Sequence, residues 1–387
     1  MKKFNKVLVL SHIAYRKDNP LTTIEGPYAS LCQALEKMIK RVDILGLPLV
    51  GYQNGIMYGQ WKRSKNIPVP SFLGEWQPIK FAFDILVNNL VALFWSLANY
   101  DKQRLIIAID PLSCFPLWLY KKIFGFVLVY HCVDFNKNRF QNKWLQRLYE
   151  LADEWASRYA DQTWVICESL QDYKKNNFGL RSYYMPNSVI FDPSITANRR
   201  LTRTGDKMVW TGSLMTKRQF ETFFKILAFI QAKIKPDIKL ILAPTKEHDK
   251  FDSYVKKYKL KQTKVLRLNG RKEFQEMAAK CDVGIAIYDE NFGSTKFIEP
   301  MKIWDFLLCG LPFIVSSEPS ISEPIKKSLV AYRLGPKNAI PSTQTMKSFL
   351  AKKNLANLID PCLLLAKRFD IENQVKKRIK SLEGLLI

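Results

Sequence analysis

Lys302 and Asp305 stand three residues apart in the stretch Glu299-Pro-Met-Lys302-Ile-Trp-Asp305-Phe-Leu-Leu-Cys-Gly310-Leu-Pro312. On a helix this spacing puts an ammonium and a carboxylate on one face. A cation beside a helix N-terminus suits a diphosphate, and a carboxylate one turn later suits a ribose diol. The chemistry implied is that of a nucleotide-sugar pocket; solvated surface pairs share the spacing. His131-Cys-Val-Asp134 follows the apolar run Phe126 to Tyr130, so it falls at the C-terminal end of an expected strand, where open α/β sheets bind ligands. Asp134 is a candidate general base for a hydroxyl, with His131 orienting groups; the alternative is a helix cap and a core histidine. Gly26, in Glu25-Gly26-Pro27, either lets backbone approach a diphosphate or makes a turn. Asp110 sits at another strand end, where it caps a helix or serves the site.

These residues need elements to position them, and the chain supplies an alternating set. Strand-like runs at Lys6 to Ser11, Val42 to Leu47, Leu105 to Ile109, Phe126 to Tyr130 and Thr163 to Cys167 alternate with helical patterns at Ser30 to Arg41, Phe81 to Ala98, Leu117 to Ile123 and Lys143 to Tyr159. A second set has strands from Met208, Lys239, Lys264, Val283 and Pro312, and helices near Phe220, Phe251, Lys272 and Lys302. Such alternation predicts βαβ units on parallel sheets. Gly310 and Pro312 stop the Lys302 helix just before its strand. The segment Gly51 to Gln77 lacks the pattern and reads as a long functional loop. Leu355 to Leu386 reads as basic and helical.

At 387 residues the chain exceeds one ordinary core and fits two domains of roughly 180 residues each. The reading is an N-terminal domain over 1–188, a linker over 189–206, a second domain over 207–365 and a C-terminal helix over 366–387 that either closes the second domain or packs back on the first. Lys and Arg exceed Asp and Glu by 60 to 35, a net charge of +25 spread over both halves, which implies acidic partners. No zinc-finger spacing or RNA-recognition signature accompanies the charge, so nucleic acid is not an expected partner. Seven scattered cysteines, mostly in apolar runs, read as free thiols in a reducing, cytoplasmic compartment, and no cluster suggests a metal. The longest apolar stretches are broken by Asp84, Asn88, Asn89 and Asp110, which argues against a membrane span. Trp61, Trp76 and Trp95, near Lys62 and Arg63, are candidates to stack sugars or to rest in a lipid interface, or else core residues.

Several blocks together resemble the GT-B glycosyltransferases, specifically the group-1 (GT4-like) superfamily. Pro300-Met-Lys302-Ile-Trp-Asp305 through Gly310-Leu-Pro312 follows that family's donor-site helix, with Asp where Glu is usual. Ala160-Asp161 to Ser169-Leu, Met185-Pro186-Asn187-Ser188-Val189, Val209-Trp-Thr-Gly212-Ser213 and Leu268-Asn-Gly270-Arg271 resemble further family blocks in the same order, so the likeness spans nearly the whole chain. It implies a GT-B fold, two Rossmann-like domains facing a cleft, with the donor held by the second. Lys302 would neutralise the leaving diphosphate and Asp305 would hold the ribose; no metal and no cofactor beyond the nucleotide-sugar co-substrate is implied. Ser213 stands where many relatives carry Arg, with Lys217 and Arg218 nearby, and Phe297 stands where many carry Glu, with Glu299 and Glu290 as substitutes for donor-sugar contact.

The implied activity is transfer of a sugar from a nucleotide-diphosphate sugar to a glycan or lipid-linked acceptor, peripheral on the inner face of an anionic membrane. The alternatives are a GT-B epimerase acting on a nucleotide sugar, which needs no acceptor, and a membrane-associated scaffold whose transfer site has decayed.

Overall fold

A computed structural model of the chain describes residues 4–13, 26–48, 55–68, 77–99, 104–115, 117–133, 135–140, 142–197, 204–214, 216–245, 247–291, 293–340 and 342–386. The chain divides into two units, Met1–Asn187 with Ile371–Ile387, and Ser188–Asp370.

The first unit is built on β1 (Lys6–Ile13), α1 (Gly26–Glu36), β2 (Arg41–Pro48), β3 (Gly55–Gln60), β4 (Lys65–Pro68), α2 (Gln77–Ala98), β5 (Arg104–Ala108), α3 (Pro111–Cys114), α4 (Leu117–Phe124), β6 (Val127–Cys132), α5 (Lys143–Tyr159), β7 (Gln162–Val165), α6 (Glu168–Phe178) and β8 (Tyr183–Tyr184). The sheet order is β4-β3-β2-β1-β5-β6-β7-β8. Strands β5, β6 and β7 are buried along their whole length, as expected of parallel strands covered on both faces. Strand order reverses between β1 and β5, which pair in parallel with Leu10 beside Ala108.

The region 51–77 is not simply a loop. Within it β3 and β4 form an antiparallel hairpin on the edge of β2, with Leu45 opposite Tyr58 and Ile56 opposite Ile67. Trp61, just past β3, is a core residue with its ring edge on Tyr28, and Trp95 is likewise buried, donating to Asp43 Oδ2 at 2.7 Å. Neither is available to stack a sugar or enter a lipid; Trp76 lies outside the described residues.

The second unit contains α7 (Pro193–Ala197), β9 (Lys207–Gly212), α8 (Lys217–Phe229), β10 (Lys239–Pro244), α9 (His248–Lys257), β11 (Thr263–Val265), α10 (Arg271–Ala278), β12 (Val283–Ala286), α11 (Met301–Leu308), β13 (Phe313–Val315), α12 (Glu323–Lys327), β14 (Ala331–Arg333), α13 (Thr343–Phe349), α14 (Lys352–Asn357) and α15 (Ile359–Arg368). All pairs in its sheet are parallel, in the order β11-β10-β9-β12-β13-β14. In chain order this is third, second, first, fourth, fifth, sixth, the doubly wound arrangement whose ligand crevice opens where the order reverses, here between β9 and β12. Ser188, expected to end the first domain, and residues 189–197, expected in a linker, group with this unit and carry α7.

The expected C-terminal helix is three helices: α14, α15 and α16 (Ile371–Glu383). The breaks fall at Leu358 and at Phe369-Asp370, and α16 joins the first unit against α1, where Gln162 donates to Ser381 Oγ at 2.8 Å. All seven cysteines are buried, and no helix among the described residues is long and apolar enough to cross a membrane.

Candidate functional site

Helix α11 begins after Pro300 and ends on Gly310, whose φ of +66° is the left-handed turn that glycine adopts without strain. Its apolar side is sunk into the unit, and Phe306 lies so close over β12 that a Cβ on Gly284 would come within 2.5 Å of its ring. That close approach brings Lys302 to the C-terminal ends of β9 and β12.

There the Lys302 ammonium lies 5.0 Å from the centre of the Trp210 ring and 5.2 Å from that of Tyr288. A Cβ on Gly212, the last residue of β9, would be 2.8 Å from Lys302 Nζ, and Gly212 itself has φ of +118°. Space and backbone conformation both call for glycine at this position. No carboxylate among the described residues forms an ion pair with Lys302. Burial therefore drives its pKa down from 10.5 to about 7, opposed in part by Asp305.

Tyr288 opens a turn that carries two further polar residues. Asp289 accepts from Thr216 Oγ1 at 3.0 Å and has Arg218 at 3.7 Å. Thr216 is the N-cap of α8 and accepts from Gln219 N–H at 3.0 Å, so the first turn of α8 is fastened to the end of β12. Glu290 accepts from Ser317 Oγ and from Asn338 N–H at 3.1 Å; burial raises its pKa, but these donors outweigh it and hold the carboxyl below its ordinary value. Lys217 and Ser213 are exposed beside this turn.

Asp305 faces α10. Its Oδ1 accepts from Arg271 Nε at 2.7 Å and from Gln275 Nε2 at 2.6 Å, a clamp between α10 and α11. Glu299 is buried and accepts from Ser322 N–H at 2.9 Å at the start of α12.

No protein-family model matches the chain, and no curated protein does. Solved structures do. A sucrose-phosphate synthase of Thermosynechococcus elongatus is 13% identical over 98% of this chain and 100% of its own, with a TM-score of 0.68. A glycosyltransferase from Rickettsia africae is 14% identical over 99% of each chain, at 0.62. Anabaena HepE, solved in complex with UDP, is 16% identical over 98% of this chain and 100% of that one, at 0.60. The chain has the GT-B fold.

In the first unit of this GT-B chain, His131 sits near the end of β6, buried, with its ring edge toward Trp164 at 5.8 Å. Burial lowers its pKa to about 4, offset slightly by the Met185 backbone, so it is neutral at physiological pH. Gly26 is the first residue of α1, four residues ahead of the expected start at Ser30. Asp134 lies outside the described residues.

The sequence reading missed one cluster. His12, at the end of β1, donates from Nδ1 to Asp110 Oδ2 at 2.5 Å and from Nε2 to Asp84 Oδ2 at 2.8 Å. Ser113 binds both oxygens of Asp110, and Asn88 donates to Ser113 Oγ at 2.9 Å. Burial disfavours the imidazolium, but the carboxylates prevail and raise His12 to about 9. With both nitrogens donating, His12 is no base; it is a cationic pin joining β1, α2 and the end of β5. Asp110, expected to cap a helix or serve the site, caps α3, and a histidine ending the first strand was the cluster's other local signal.

Proposed function

We propose that this protein is a glycosyltransferase that moves a sugar from a nucleotide-diphosphate sugar to a glycan or lipid-linked acceptor, without a metal ion, at an anionic membrane face. The observation that carries the reading is Lys302: a sheltered ammonium, without a carboxylate partner among the described residues, at the reversal point of a Rossmann-ordered sheet. Departure of a nucleoside diphosphate leaves charge that must be stabilised, and a preorganised ammonium in a sheltered site does this without an ion. Lys217, Arg218 and the first turn of α8 supply further positive potential beside it. Asp305, held by Arg271 and Gln275, is the proposed ribose ligand, and Glu290 or Glu299 the proposed contact to the donor sugar. The bound UDP of HepE supports a nucleoside diphosphate as the leaving group. Asp134 is the proposed acceptor base, with neutral His131 as a hydrogen-bonding neighbour rather than a charge.

The test is a thermal-shift screen against UDP, GDP, ADP and their sugar conjugates, with and without EDTA, on the wild type and Lys302→Ala. One nucleotide should raise the melting temperature regardless of EDTA, and the shift should vanish in the variant. An undiminished shift in Lys302→Ala would remove the assigned role. Turnover of the sugar nucleotide with no acceptor present would favour the epimerase.

A further inference from the structure

Helix α2 is turned inside out. Its polar residues Asp84, Asn88 and Ser96 are buried, whereas Leu86, Leu90, Phe94 and Leu97 are exposed, Phe94 by 64%. The exposed four follow one another at spacings of four, four and three, a continuous apolar stripe along one side of a 22-residue helix. Core burial does not explain the stripe, because the helix has already turned its polar groups inward.

The stripe continues onto neighbouring helices. Against α2 packs α4, with Leu119 and Ile123 exposed, the latter by 68%. The Trp118 ring of α4 stacks on Tyr159 at 5.2 Å and lies 6.0 Å from Trp155, both on α5. Further along α5, Trp144 is 67% exposed beside Leu148. Cations border the patch: Lys122 stands 4.9 Å over the Trp118 ring and Lys143 is exposed at the start of α5, whereas Arg147 and Arg158, also exposed, are paired with Glu150 at 3.8 Å and Glu154 at 2.8 Å.

We propose that this face of the first unit docks on an anionic lipid bilayer, an inference that rests on the lipid-linked acceptor of the proposed function and names the surface that would meet it. Exposed leucines and isoleucine enter the acyl boundary, tryptophan and tyrosine occupy the headgroup level, and lysine and arginine meet anionic headgroups. Charge selects the bilayer over a second copy of the chain. Two molecules each carrying +25 repel, whereas an anionic surface gains from Lys122 and Lys143 on the rim. The placement suits the chemistry. Asp84 of α2 touches His12 at the C-terminal end of β1, so the stripe starts near the sheet edge where His131 also lies. A headgroup in a bilayer along this face is near that edge.

The experiment is sedimentation of the full chain with vesicles of phosphatidylcholine, alone or mixed with phosphatidylglycerol. The wild type should bind the mixed vesicles, less so at high salt. Leu90→Glu/Phe94→Glu should bind about tenfold or more weakly at an unchanged melting temperature. Lys122→Glu/Lys143→Glu, which leaves the apolar stripe intact, should lose the preference for phosphatidylglycerol. Absence of wild-type binding, or equal binding by the apolar double variant, overturns the proposal. So does a wild-type dimer in sedimentation equilibrium that the apolar variant converts to monomer without any change in vesicle binding. The nucleotide thermal shift, run without vesicles, reads nucleotide binding alone. A retained shift with failed vesicle binding removes the docking surface and keeps the proposed function; the opposite pattern does the reverse.

Discussion

Raising the pH from 7 to 9 should strip the proton from Lys302 in the free protein but not in its complex with a nucleotide-diphosphate sugar. Burial sets the free pKa at about 7, so at neutral pH the ammonium is only half formed. A diphosphate within contact distance favours the charged form and returns the pKa toward its ordinary range. For a bound pKa near 10.5, linkage makes the affinity fall about 50-fold between pH 7 and pH 9, with uptake of about half a proton per ligand at pH 7 and about one at pH 9. The sign follows from the protons: the complex holds more of them than the free protein, so binding weakens as they become scarce. Calorimetry in two buffers of different ionisation enthalpy reads the uptake directly. The intact sugar nucleotide is the right ligand, because its diphosphate does not titrate in this range whereas a free nucleoside diphosphate does. Lys302→Met should bind weakly and without pH dependence. PH-independent binding by the wild type, with no proton uptake, would refute the assignment of Lys302 to the diphosphate.

Gly212→Ala combines a disfavoured backbone conformation with a methyl group directed at Lys302 Nζ, so it should cost about 1–3 kcal/mol of stability and abolish the nucleotide-induced thermal shift. Lys174 and Asp153 are fully buried partners, with Tyr130 Oη donating to the same carboxylate at 2.6 Å. Asp153→Ala should therefore destabilise the protein by about 3–5 kcal/mol in urea unfolding, and Asp153→Ala/Lys174→Met by less than the sum of its single changes. His12, raised to about 9, binds a proton more tightly folded than unfolded, so its contribution is complete below its ordinary value and disappears as pH rises through 9. His12→Gln should remove on the order of 3 kcal/mol at pH 6 and almost nothing above pH 9, read as the wild-type minus variant difference in unfolding free energy.

Much of the framework was legible because parallel strands are buried on both faces and announce themselves as apolar runs: Leu8-Val-Leu10, Leu105 to Ala108 and Val127 to Tyr130 are all buried strand. Helix α5 coincides with its expected span, and Gly310 stops α11 as its chemistry requires. The β3–β4 hairpin escaped because its place is set by the edge of β2 rather than by its own alternation. Lys302 was visible through its spacing to Asp305, yet the spacing did not show that Asp305 faces Arg271 and Gln275. His12, Asp84 and Asp110 are separated by up to 98 residues, so only the sheet assembles them. Tryptophan type alone did not distinguish the buried Trp61 and Trp95 from the exposed Trp144 and Trp155. The polar residues of α2 hid which side faces out, because Asp84, Asn88 and Ser96 turn inward.

Two sheltered lysines, Lys174 and Lys302, show how much an unpaired one means. Lys174 is buried where a charge has to be answered, and the fold answers it with Asp153 and the rings of Tyr130, Phe135 and Phe178. Lys302 is sheltered by the rings of Trp210 and Tyr288, but the acid one turn along its own helix is clamped to α10. Gly212 and Gly284 leave room for this arrangement, one beside the ammonium and one beneath the helix that carries it. A carboxylate directed at Lys302 would restore its charge and stabilise the second unit, and the same carboxylate would repel a diphosphate. Leaving the ammonium unanswered weakens the free protein and keeps the place open for an anion from solution, which is the arrangement a donor site needs and a packing lysine does not.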